Sequence, residues 1–118
     1  MVDQKLDHNL EKTEYKIKQG IFKISLDELI ECWKFPIPSY LKIDVDGIEN
    51  MIIKSSKKLL KNAKLNSVLI EINRNRKEDL EIISILENSG FKFDQKQVDD
   101  ATRTSEKHKG YAEYLFYK

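Results

Sequence analysis

Cysteine, glycine and proline are scarce in this sequence, and positive and negative charge nearly cancel. Cys32 is the only cysteine in 118 residues. That excludes an intrachain disulfide and fits a reducing, cytoplasmic setting. Its apolar neighbourhood beside Trp33 predicts a buried structural thiol rather than a nucleophile. The four glycines stand far apart, at positions 20, 47, 90 and 110. Such spacing excludes a glycine-rich loop that cradles phosphates or a nucleotide. With 21 Lys and Arg against 20 Asp and Glu, the net charge is +1. The basic residues are interleaved with acids, so no electrostatic case for a nucleic-acid partner arises. Even the densest group, Lys57, Lys58 and Lys61, reads as a solvated helix face. No apolar run approaches the roughly 20 residues a membrane span requires. The opening "MVDQKLDHNLEK" lacks the apolar core of a signal peptide.

What is present is a charge-rich chain, 40% hydrophobic and 35% charged, of a length suited to one small domain. Residues 1–13 form a polar N-terminal segment, and residues 14–118 a single α/β domain. Residues 14–24 alternate loosely between apolar and polar and read as a half-exposed strand interrupted by Gly20. In "SLDE", Ser25 is a helix N-cap with Glu28 three residues on, a capping box that starts a short helix to about Trp33. "FPIP" then ends it. Residues 40–45 read as a buried parallel strand covered on both faces. Ile48, Met51, Ile52, Ser55 and Leu59 follow at helical spacing, predicting one helix to about Lys61. Residues 67–72, "SVLIEI", form a second buried strand. Residues 77–89 predict an amphipathic helix with Leu80, Ile83 and Leu86 inward and Gly90 just past its end. Residues 91–93 begin a short strand, 98–110 a polar loop, and 111–117 a terminal strand. Two βα units imply parallel pairing and right-handed crossovers. The last two strands, joined without a helix, should form an antiparallel hairpin.

The chemistry-bearing stretch is "YLKIDVDGIEN", residues 40–50. In an open α/β sheet, ligands bind beyond the carboxyl ends of the strands. Asp44 and Asp46 lie at such an end, two apart and thus on one face. Glu49 falls in the first turn of the next helix, and Glu71 toward the carboxyl end of the next strand. If the strands are neighbours, Asp44, Asp46, Glu49 and Glu71 converge on one rim. There they can accept hydrogen bonds from hydroxyls, act as a base, or bind a cation. The plainer reading stands beside it: Asp46 and Gly47 make an ordinary turn, Asp46 caps the helix, and Glu71 pairs with a lysine such as Lys42. An EF-hand is excluded, because its register would put Ile48 at a ligand position and the glycine two places early. A "DxDG" phosphatase or a "DxD" glycosyltransferase fragment fits loosely. The former lacks room for its later motifs, and the latter its nucleotide-binding half.

Other candidates are weaker. His8 and His108 are far apart in polar segments and read as surface residues. Arg74, Arg76 and Arg103 are able to meet a carboxylate or phosphate, yet "NRNRKED" after a strand is also an ordinary solvated connection. Tyr111, Tyr114 and Phe116 read as strand and core residues.

Three segments in order, "ISLDELIE", "YLKIDVDGIENMIIKSSKKLL" and "SVLIEI", resemble the C-terminal half of an FkbM-type methyltransferase. That family shows a "tLDel" segment, then "lKIDVEGxExxvLkGa", then a strand ending in Glu. Asp46 stands where the family has Glu, and "KSS" (residues 54–56) where it has "KGA". The resemblance implies a class I, S-adenosylmethionine-dependent, Rossmann-like methyltransferase sheet acting on a hydroxyl of a sugar or natural product. The strands present would be equivalents of the fourth, fifth, seventh and sixth. Asp44 and Asp46 would be catalytic, Asp44 also contacting the cofactor, with Glu49 and Glu71 on the substrate and no metal assigned. The family's glycine-rich first turn has no counterpart here. The expectation is therefore an incomplete site that neither binds S-adenosylmethionine tightly nor methylates alone. Its partner would be the missing N-terminal half or a second copy, in a homodimer formed through the unpaired edge of strand 40–45. A non-catalytic, self-associating α/β module is the alternative.

Overall fold

A computed structural model describes residue 20 and residues 23–118. The strand expected over residues 14–24 lies almost wholly outside them. In chain order the elements are α1 (Leu26–Glu31), β1 (Tyr40–Ile43), α2 (Glu49–Lys54), α3 (Lys57–Leu60), β2 (Ser67–Asn73), α4 (Lys77–Asn88), α5 (Gln95–Ala101), a 3-10 turn (Glu106–His108) and β3 (Tyr111–Tyr117). The sheet has three strands in the order β1-β2-β3. β1 pairs parallel with β2, Tyr40 opposite Ser67 and Ile43 opposite Ile70. β3 pairs antiparallel with β2, from Ser67 opposite Tyr117 to Asn73 opposite Tyr111. This is a mixed α/β fold. Among the described residues no helix is long and apolar enough to cross a membrane.

Local chemistry explains most boundaries. The Ser25 hydroxyl oxygen accepts the Glu28 N–H at 3.1 Å, so the capping box forms on its serine side. The intervening Asp27 has a longer reach. Its carboxylate accepts the N–H groups of Lys58 at 3.0 Å and Leu59 at 2.9 Å, closing the start of α3 from another helix. The helix expected over residues 48–61 is split. Ser55 and Ser56 both donate hydroxyls to the Ile52 carbonyl, at 3.0 and 2.7 Å. That arrangement competes with helix continuation, and α2 stops at Lys54. Consequently Met51 is exposed and Ile53 is the residue that is fully buried.

α4 ends as expected. Gly90 donates to the Glu87 carbonyl and Phe91 to the Leu86 carbonyl, both at 3.0 Å, the paired bonds of a Schellman closure with Leu86 and Phe91 both buried. Its inward face differs by one position, however. Asp79, Ile82, Ile83 and Leu86 are buried, while Leu80 is exposed. The buried Asp79 accepts the Asn73 N–H at 2.8 Å, which ties the first turn of α4 to the end of β2 and rotates Leu80 outward.

The core is a single apolar cluster that includes Ile53, Leu60, Leu65, Val68, Ile70, Ile72, Ile82, Leu86, Tyr114 and Phe116. Burial of each such side chain contributes roughly 1.5–3 kcal/mol before chain entropy is counted. Three expectations are corrected here. β1 is not covered on both faces: Ile43 is buried and Leu41 half-buried, while Tyr40 and Lys42 are exposed. Cys32 is exposed, because it caps the end of α1, outside the core. The C-terminal hairpin is reduced to one bridge, Lys92 opposite Tyr117, since the connection expected as a loop contains α5. Asp94 caps that helix through the Lys96 N–H, and the buried Val98 anchors it.

Candidate functional site

The carboxyl ends of β1 and β2 open into a cleft of about 510 Å³. Asp44 and Asp46 enter it from the chain beyond β1, Glu49 from the first turn of α2, and Glu71 from within β2. All four acids singled out from the sequence thus line one cavity. Parallel pairing is the cause, because it brings both carboxyl ends to the same side of the sheet. Asp44 and Asp46 are exposed, Glu49 and Glu71 half-buried. Asp46 does not cap α2: the capping position is Ile48, without a side-chain bond. Gly47 turns the chain at φ 91°, a conformation that glycine adopts without strain.

Burial pushes the Glu49 carboxyl above its ordinary value. The backbone N–H groups of Glu49 and Gly47 draw it back in part, neighbouring Asp79 adds to the rise, and Arg76 opposes it. A carboxyl placed in this way exchanges protons at a higher pH than a free glutamate. Among the described residues, no three His, Cys, Asp or Glu side chains are grouped so as to hold a metal ion.

Of the arginines singled out from the sequence, Arg76 and Arg103 join this cleft, beside residues that had no such reading. Arg76, Arg103, Lys107, His108 and Tyr111 line the same cleft, together with Asp79. His108 is half-buried here, and Arg74 is directed elsewhere, over the rings of Phe93 and Tyr114 at 5.7 and 5.8 Å. Arg76 stands at the start of α4. A hydrogen bond to the Tyr111 side chain raises its affinity for the proton still further, against the effect of burial, with Asp79 adding to the rise.

The return of the chain fixes the rest of this lining. Arg103 donates its N–H to the Tyr111 carbonyl at 2.8 Å, and Gly110 donates to the Arg103 carbonyl at 3.3 Å, so residues 103–111 close on themselves beside the end of β2. Gly110 has φ +87°, and a Cβ there would lie 2.8 Å from Asn75 Nδ2 and 2.9 Å from Asn73 Oδ1. Only glycine lets this loop sit against the turn after β2. The arginine run 74–76 and the glycine before β3 were the visible signals, but their meeting depends on the antiparallel register.

The fold and its acid-lined cleft at the ends of two parallel strands define a class, the α/β domains that place ligand chemistry at strand termini. The model of the methyltransferase FkbM domain matches residues 4–93, more than half of the chain, and the chain belongs to that family. The match starts well before "ISLDELIE" and runs past β2 to Phe93. No curated protein and no solved structure matches this chain.

Proposed function

We propose that this chain supplies the acceptor side of a methyltransferase that modifies a hydroxyl group, on a sugar or another natural product. The carrying observation is the convergence of Asp44, Asp46, Glu49 and Glu71 on one cleft at the carboxyl ends of β1 and β2. In this reading β1, β2 and β3 are equivalents of the fourth, fifth and seventh strands of a class I methyltransferase sheet. The bridge at Lys92 is then the remnant of the sixth. One further fact supports a functional Glu71. It stands opposite Glu113 in the β2–β3 ladder, and like charges directly across a sheet are unfavourable. A carboxylate at that position is better accounted for by a ligand in the cleft than by sheet pairing.

The roles follow from the geometry. Asp44 and Asp46 accept hydrogen bonds from acceptor hydroxyls. One of them takes the proton that a hydroxyl must lose when its oxygen becomes an ether. Glu49 and Glu71 fix the acceptor's orientation by accepting from neighbouring hydroxyls. S-adenosylmethionine is the methyl donor the family implies, and Asp44 is the residue that would contact it. The described residues do not by themselves fit that cofactor. Their glycines at 47, 90 and 110 stand singly, and none forms the glycine-rich turn that admits a nucleotide to the backbone. In this reading a glycine-rich segment outside the described residues supplies the cofactor side of the site.

Calorimetric titration with S-adenosylmethionine tests this directly. The chain alone should show no micromolar binding, and such binding would refute the half-site reading. Mixed with a separately produced glycine-rich half of an FkbM domain, it should support transfer of labelled methyl to a hydroxyl. Asp44→Asn should slow that transfer by about 100-fold or more. A second reading, a self-associating module, is favoured by β1, which no strand among the described residues pairs on its outer side, and by the 75% exposure of Tyr40. Sedimentation velocity distinguishes it: a dimer through this edge would dissociate on introducing Tyr40→Lys.

A further inference from the structure

We propose that the cleft is built for an acceptor bearing an oxyanion, a carboxylate or phosphate, and that Arg103, Lys107 and His108 are what reads it. The inference rests on the preceding reading for the acidic wall, while the basic wall stands on its own observations. Arg103, Lys107 and His108 face the cleft from the loop before β3, and Arg76 from the start of α4. The acidic wall carries Asp44, Asp46, Glu49, Glu71 and Asp79. That wall suits hydroxyls, which donate to it, and would repel an anion. A neutral polyol needs only this side. Cations gathered on the other side serve a ligand that carries negative charge at one end and hydroxyls at the other.

Two of these cations, Arg103 and Lys107, are not used up by ion pairs within the fold. Among the described residues the ion pairs are Lys54 with Glu81 and Lys58 with Glu31, each at 2.7 Å, and Arg76 with Glu78 at 3.9 Å. Arg103 and Lys107 make none of them, and both are exposed. Acids and cations meet at one point, where Arg76 interacts with Glu49 and Asp79, and the segments that carry the others are anchored by backbone. Asp44 and Asp46 follow directly from β1, and Glu71 sits in the β2 ladder. Arg103 is held by its bond to Tyr111, and the loop is seated by Gly110 against Asn73 and Asn75. Acidic and basic groups lining one cleft of about 510 Å³ leave room for a monosaccharide-sized group. Arg103 supplies a planar fork suited to either oxyanion, and Lys107 a point charge.

The test uses the whole chain and needs no cofactor. Glucuronate, glucose 6-phosphate and glucose are titrated to tens of millimolar at physiological salt, and amide and arginine side-chain resonances are followed by NMR. The two anionic sugars should shift residues 103–111 and 73–76 in a saturable way, and glucose should not. Their relative strengths tell carboxylate from phosphate. Arg103→Gln and Lys107→Gln should each weaken the anions by about fivefold, as expected for exposed charge pairs. Arg103→Lys should retain most of the binding. Both positions are exposed, and dispersed spectra of the variants verify the fold. The proposal is overturned if glucose binds the same residues equally well, if neither anion binds, or if both variants bind the anions unchanged. Its failure is separable from failure of the methyltransferase reading. Anion binding without methyl transfer in the reconstituted pair removes only the latter, and transfer without anion preference removes only the former.

Discussion

On the β3 side of the sheet, Lys92 and Gln97 occupy the backbone groups of the outermost strand, whereas on the β1 side no described residue pairs with the strand. Lys92 exchanges two bonds with Tyr117, each 2.8 Å. The Gln97 side-chain amide donates to the Glu113 carbonyl at 2.8 Å and accepts the Leu115 N–H at 3.1 Å. One glutamine from α5 thus does what a neighbouring strand would do, which also explains why the expected hairpin partner is so short. Beneath this edge lie Phe93, Tyr114 and Phe116, with ring centroids 5.1–5.8 Å apart, and Phe116 fully buried. Along β1, by contrast, Tyr40 and Lys42 are exposed and only Ile43 is buried. Beside it runs a partly apolar cleft of about 410 Å³ lined by Leu26, Leu41, Val45 and Ile52. Stability is concentrated at the closed edge. The candidate chemistry hangs from the open one, through Asp44, Asp46 and Glu49. An unpaired edge invites pairing, and among the described residues nothing occupies this one.

Substitutions sharpen this contrast. The largest effect is expected for Phe116→Ala at the closed edge. It should cost about 3–5 kcal/mol, read as a lowered denaturation midpoint, and a loss comparable to that of a surface residue would show that the aromatic cluster is not the stabilising core. Gln97→Ala should cost roughly 0.5–1.5 kcal/mol and also create a second open edge. Concentration-dependent light scattering should therefore rise above that of the parent chain, and unchanged scattering would mean that α5 shields the edge without its glutamine.

Glu49→Gln probes the open side through pH. Burial raises the carboxyl of Glu49 above its ordinary 4.5, so in the window just above that value the folded chain holds more protons than the unfolded chain. Its contribution to stability is therefore fully present below the unfolded pKa and is lost as pH climbs through the folded one. The parent chain should lose ground to the Gln variant across that window, measured as the difference in melting temperature, and a gap that narrows with rising pH would reverse the assignment. The smallest change in stability is expected for Tyr40→Lys, within about 0.5 kcal/mol, because the ring is exposed. A large loss would show that β1 is covered after all.

Several features were legible without coordinates because they are local. Ser25 and Glu28 announced the start of α1, Gly90 the end of α4, and alternation between strands and helices the parallel pair. The convergence of Asp44, Asp46, Glu49 and Glu71 was also readable, since the βα order puts successive strand ends on one side. Other features had no local signal. Met51 and Leu80 fit an apolar stripe but face outward, because Ser55 and Ser56 cut one helix short and Asp79 rotates the other. Cys32 looked buried beside Trp33, yet the helix it ends lies outside the core. Arg76 and Arg103 were legible as single candidates, but their meeting with Lys107 and His108 was not, because these residues are distant in sequence and come together only through the β2–β3 register.

The sequence by itself determined the family, through the order and spacing of three short segments, and the acidic half of the cleft, through strand-end geometry that any parallel βα pair enforces. Tertiary structure alone decided that a glutamine on α5 closes one edge while the other stays open. It alone brought a cationic loop into the same cleft as the acids, because antiparallel pairing of distant strands, and a glycine small enough to let the loop close, leave no periodic mark on the chain.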